Sequence, residues 1–147
     1  MDASIYGTLY DSLLRTVAKF GDRPAYVVPP MANRAYHPNG WEATWAQTLA
    51  AVEEKKNIYQ RAGIGYGHRV AILFEQRPEF FSHYFALNAL GAGIVPINPD
   101  YRVDEIRYVV EHSEASLAVC VDNRIGEMRE AARQIGNGLP VVSFDIF

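Results

Sequence analysis

The sequence is poor in cysteine, in lysine and in long apolar runs, and each shortage removes a class of protein. A single cysteine, Cys120, excludes a disulfide framework and fits a reducing compartment. It sits inside Leu117-Ala-Val-Cys-Val121, where a small buried thiol is the expectation. No apolar run approaches about 20 residues, so no transmembrane helix is expected. The opening Met1-Asp-Ala-Ser has neither the basic nor the apolar region of a secretory leader, which makes a cytoplasmic location the expectation. There is no internal repeat and no low-complexity tract. Lysine is scarce, three against eleven arginines in 147 residues, and the net charge is −3. That balance gives no electrostatic reason to expect nucleic acid or an anionic membrane as partner. The arginine skew fits planar anion recognition and fits high-GC coding bias as well.

What is present is an ordinary globular composition, 49% hydrophobic and 21% charged, enough for one domain or part of a larger one. Ile5, Leu9, Leu13 and Val17 step by four, flanked by Tyr6, Tyr10 and Leu14, which predicts an amphipathic helix ending at Gly21. Pro24-Ala-Tyr-Val-Val28 reads as a strand stopped by Pro29-Pro30. Asn39-Gly40 is a hairpin-type turn signal. Thr44-Trp-Ala-Gln47 has the form of a capping box and opens a helix to about Ala62. Its expected buried side carries Trp45, Leu49, Val52 and Ile58.

Further on the pattern becomes regular. Arg69–Phe74 is a strand. A helix follows that begins near Pro78, with Glu79 complementing its N-terminal dipole. It is apolar nearly all round, with Phe80, Phe81, Tyr84, Phe85, Leu87 and Leu90, so burial on more than one side is expected. A short buried strand at Gly93–Ile97, a helix at about Asp104–Ser113, a strand at Leu117–Val121, a charged helix at about Ile125–Ile135 and a strand at Pro140–Phe144 complete the series. The division is about 1–66 for the leading helix, short strands and second helix, and about 67–147 for a β-α-β-α-β-α-β unit. Such alternation predicts an α/β fold, a parallel sheet with helices on both faces and right-handed crossovers.

Gly63-Ile-Gly65-Tyr-Gly67 superficially suggests a dinucleotide loop. That fingerprint must follow a strand and open a helix, whereas these glycines close a helix and lead into a strand. Glu79 and His83, four apart on a helix, would make half a metal site, but no second pair joins them. Glu53-Glu54-Lys55-Lys56 is a solvated helix face. Three arginines stand out. Arg77, Arg102 and Arg124 each follow a predicted strand and precede or begin a helix. In a parallel sheet those points share the carboxyl edge, where open α/β sheets bind ligands. Two readings stay open, local pairing with Glu75, Asp100, Asp104 or Asp122, and an anion site.

At this point the ordered motifs resemble the N-terminal part of the adenylate-forming superfamily, the acyl-CoA synthetases and their relatives. Gly21-Asp-Arg-Pro-Ala25 and Thr44-Trp-Ala-Gln47 are similar to its early strand and its Thr-Tyr-x-Glu-Leu helix start, with Trp45 and Gln47 as departures. Gly67-His-Arg-Val-Ala-Ile72 followed by Arg77-Pro-Glu79 is similar to its Gly-Asp-Arg-Val-Ala-Ile and Asn-x-Pro-Glu. Leu90-Gly-Ala-Gly-Ile-Val-Pro-Ile-Asn-Pro99 matches its second core motif, and Tyr101, Glu105, Tyr108 and Ser113 continue the spacing. Asn98, where peptide-synthetase adenylation domains favour Asp, looks more like an acyl-CoA synthetase.

The resemblance implies the N-terminal subdomain of the acyl-CoA synthetase fold. It also implies a parent reaction, in which a small carboxylate and Mg·ATP give an acyl-adenylate and pyrophosphate, and the CoA thiol then displaces AMP. The family needs a Ser/Thr/Gly/Lys phosphate loop and a distal lysine, and this sequence contains neither. The expectation is therefore an N-terminal fragment of such an enzyme, inactive alone, with no residue nameable as catalytic. Arg102 and Arg124 fall where CoA-forming relatives hold the CoA nucleotide phosphates. A fragment of this kind is expected to self-associate through an exposed apolar face. The alternatives are a non-catalytic α/β binding or interaction module, and a small phosphate-binding α/β protein.

Overall fold

The computed structural model describes residues 7–144. The first helix, α1, spans Leu9–Phe20. Ile5 and Tyr6, expected in its first turn, lie outside the described residues. Its start is set at Thr8, whose hydroxyl accepts from the Asp11 N–H at 3.1 Å while the Asp11 carboxylate accepts from the Thr8 N–H at 2.6 Å. That Thr-x-x-Asp box satisfies two orphan donors and starts the helix later than periodicity suggests.

β1, Pro24–Val28, pairs antiparallel with β2, Trp41–Thr44, a strand that the sequence reading did not foresee. Thr44 then caps α2, Trp45–Arg61, as expected, with the Gln47 side chain accepting from the Thr44 N–H at 2.8 Å. The buried residues of α2 are Thr48, Val52 and Tyr59. Tyr59 takes the place expected for Ile58, which is only half-buried. Gly63 and Gly67, at φ 79° and 84°, turn the chain out of α2, which is the helix-closing role anticipated for them.

β3 (Arg69–Leu73), α3 (Glu79–Ala89), β4 (Gly93–Pro96), α4 (Val103–His112), β5 (Leu117–Cys120), α5 (Ile125–Ile135) and β6 (Val141–Ser143) follow in the expected alternation. The four strands form a parallel sheet in the order β4-β3-β5-β6. α3 packs with α1 and α2, and α4 packs with α5. Right-handed crossovers put these two layers on opposite faces. β3 and β5 lie inside the sheet, so Val70–Phe74 and Leu117–Val121 are buried on both sides and read as continuous apolar runs. No described helix is long and apolar enough to cross a membrane.

Two expectations need correction. β4 is an edge strand, and its residues are half-buried or exposed rather than buried. Pro96 is compatible with that edge because the neighbouring Ile97 N–H makes the bond to the Ile72 carbonyl, at 2.9 Å. α3 is enclosed only along Ser82, His83, Ala86 and Leu87. Its first turn is partly open, and Phe81 is 44% exposed.

Candidate functional site

The carboxyl ends of β3, β4 and β5 feed three loops, and each loop carries one of the arginines singled out above. The strand order reverses between β3 and β5, which makes this edge a topological switch point of the kind that receives ligands in open α/β sheets. Beside it lies a groove of about 1030 Å³, between the hairpin and the ends of β3 and β4. Tyr26, Phe74, Phe80, Phe81 and Ile97 supply its apolar wall, and Arg34, Glu75, Arg77 and Asp100 line it with charge of both signs.

Arg77 is already paired. Its guanidinium forks onto Glu79, with Nε and Nη2 donating at 3.1 and 3.2 Å, and Nη1 lies 3.9 Å from Glu75. The same cation sits 4.4 Å from the Phe144 ring centroid and 5.3 Å from that of Tyr36. Glu79 also meets His37 Nε2 at 2.7 Å. Burial would raise the Glu79 carboxyl, but Arg77, with a smaller contribution from His37, holds it below its ordinary value.

Arg124 closes the turn of 3-10 helix at Asp122–Arg124. Its Nη1 donates to the Pro99 carbonyl, its Nη2 to the Tyr101 carbonyl, and its Nε to Glu127 at 3.1 Å. Arg102 stands at the cap position of α4, and its N–H donates to the Glu105 carboxylate at 2.9 Å. The Arg102 side chain is exposed and makes no ion pair among the described residues. Local pairing therefore accounts for Arg77 and Arg124, through Glu75, Glu79 and Glu127, and leaves Arg102. Asp122 instead accepts from the Ser143 hydroxyl.

Glu79 and His83 do not converge as half a metal site. Glu79 turns to Arg77 and His37, while His83 turns inward, where its Nδ1 meets the Tyr59 hydroxyl at 2.7 Å. Burial lowers the His83 pKa to about 3, so the ring is neutral at ordinary pH. Among the described residues no group of three or more His, Cys, Asp or Glu could hold a metal ion. None of the three edge loops combines Ser, Thr and Gly with Lys. These residues do not fit Mg²⁺ or the triphosphate of ATP.

The residues that shape this edge without having been anticipated are Arg34, Tyr36 and His37. Arg34 gathers the carbonyls of Pro29, Tyr36 and His37 at 2.6, 2.9 and 2.8 Å, which folds residues 29–40 against the groove. His37 stacks on Trp41 at 4.8 Å. The only hint in the sequence was the density of Pro, Asn, Gly and aromatic residues between Pro29 and Trp41.

A parallel sheet in this order, with helices on both faces and an open carboxyl edge that carries an exposed cation, defines an α/β subdomain of the open, ligand-receiving kind. The family model described as "AMP-binding enzyme" matches residues 13–144. The chain belongs to that family. It is 33% identical over 80 residues to the crotonobetaine/carnitine–CoA ligase of Proteus mirabilis, a stretch covering 54% of this chain and 15% of that ligase. It is 34% identical over 138 residues to the 2,3-dihydroxybenzoate-AMP ligase of Bacillus subtilis, covering 92% of this chain and 24% of that one. The N-terminal domain of FACL13 from Mycobacterium tuberculosis superposes with a TM-score of 0.83 at 21% identity, over 95% of this chain and 34% of that one. The chain thus spans about a quarter or less of these two ligases' length, and it has the fold of the N-terminal subdomain of acyl-CoA synthetases.

Proposed function

We propose that this chain is the N-terminal part of a cytoplasmic, ATP-dependent acyl-CoA synthetase, in which a carboxylate, ATP and CoA give acyl-CoA, AMP and pyrophosphate through an acyl-adenylate. The observation that carries the reading is the family match over residues 13–144. In this reading the chain contributes the sheet, an apolar groove wall and a cationic edge. Adenylation, with its Mg²⁺ and phosphate loop, falls to residues outside this sequence. Arg102 is the group that meets the CoA nucleotide phosphates, which is supported by the exposure of its side chain and by the guanidinium's lack of an ion pair among the described residues. Arg124 belongs to the same CoA-facing edge.

The test is made on the longest gene product that carries this sequence. Carboxylate-dependent exchange of pyrophosphate into ATP, together with CoA-dependent release of AMP, is the expected result. The 147-residue chain alone is expected to show no exchange. Exchange that never couples to CoA in the long product would remove the CoA-ligase reading.

A further inference from the structure

The geometry points to Arg124 as a positioning residue that holds Arg102 in place and does not itself contact the anion. The inference rests on the reading of Arg102 just given. The Arg124 side chain is only 20% exposed, and all three of its guanidinium nitrogens have acceptors. Two of those acceptors are the carbonyls of Pro99 and Tyr101, which straddle Asp100 and immediately precede Arg102. β4 and β5 are not neighbours, because β3 lies between them. Arg124 therefore ties the loop after β5 to the loop after β4, past the end of the intervening strand.

Tyr101 and Val103 pack against the core on either side of Arg102, and the remaining polar bonds of that loop are short-range, so Arg124 supplies its long-range polar tie. The Asp100 N–H donates to Asn98 Oδ1 at 3.0 Å and the Tyr101 N–H to the Asn98 carbonyl at 3.1 Å. The Arg102 N–H donates to Glu105 at 2.9 Å. Arg124 is in turn anchored by its own N–H, which donates to the Val121 carbonyl at 3.0 Å, and by Glu127. A guanidinium suits this work because its planar fork reaches several acceptors at fixed angles, whereas an ammonium is a single point of donation.

The test compares Arg124→Gln, Arg124→Lys, Arg102→Ala and the Arg102→Ala/Arg124→Gln double variant in the long gene product, with amide exchange across residues 98–104 read beside the KM for CoA. Exchange across residues 116–121 reports whether each variant is folded. In Arg124→Gln the Tyr101 and Arg102 amides should exchange about tenfold faster. The KM for CoA should rise about as far as in Arg102→Ala, and Arg124→Lys should fall between. The double variant should be no worse than Arg102→Ala alone, because one residue acts through the other. Effects that multiply would mean that Arg124 meets CoA directly and would overturn the inference, as would unchanged exchange in Arg124→Gln. A raised KM in Arg102→Ala with none in Arg124→Gln overturns this inference alone. An unchanged KM in Arg102→Ala overturns the reading of Arg102, and the role of Arg124 through it.

Discussion

The Tyr59 hydroxyl and His83 Nδ1 lie 2.7 Å apart between α2 and α3, with both rings wholly buried. The two residues lie 24 apart in the chain and link the two helices, and the pair sits beneath Phe74 at the end of β3, whose ring is 5.0 Å from that of His83. Burial dominates the His83 shift and holds its pKa near 3 in the folded chain, against 6.5 as the ordinary value. The unfolded chain therefore binds a proton between those values that the folded chain does not, and stability falls as pH drops from about 6.5 towards 3, by up to about 1.4 kcal/mol per pH unit for this one group. Urea midpoints measured from pH 7 to pH 4 should show that slope, and His83→Gln should flatten it. Tyr59→Phe should cost about 1–3 kcal/mol at pH 7, as expected for a buried bond broken on one side.

Cys120 reports on the interior strand β5. It is fully buried, and burial raises its pKa to about 12. Native chain should resist alkylation by iodoacetamide at pH 8, and denatured chain should be modified at the rate of an ordinary thiol. Rapid labelling of native chain would contradict the sheet order, because β5 would then have to lie open.

His37 fastens the loop at 29–40 to the start of α3. It holds φ at 45°, pairs with Glu79 at 2.7 Å and stacks on Trp41. His37→Ala removes both contacts, and a loss of about 1 kcal/mol corresponds to roughly fivefold more loop opening. Limited proteolysis between Met31 and Tyr36 should accelerate by about that factor while the sheet remains protected.

Much of the fold was legible in the sequence because its signals are local. The Thr44 and Gln47 box marked the start of α2 to the residue, and the apolar runs at 69–74 and 117–121 marked the interior strands. β2 was missed because four residues are too few to show a period and its last residue, Thr44, doubles as a helix cap. The edge position of β4 was missed because Ile94 and Val95 look the same in sequence whether a further strand covers them or not. Placing three arginines on one edge needed only topology. Which of them is engaged did not follow, because the Pro99 and Tyr101 carbonyls that hold Arg124 are backbone groups with no sequence signature. The partners of His37 and His83 lie 42 and 24 residues away, beyond any local pattern.

The central claim is that this edge receives CoA and does not perform the adenylation, and Arg102 tests it most directly. In the long gene product, Arg102→Ala should remove the proposed charge-assisted contact to CoA, about 1.5–3 kcal/mol, which corresponds to a CoA requirement raised roughly 10- to 100-fold. Both half-reactions should be measured on the same preparation. The account predicts that raised requirement, with carboxylate-dependent exchange of pyrophosphate into ATP kept at the wild-type rate. An unchanged CoA requirement, or a loss that falls on the exchange reaction instead, would contradict it.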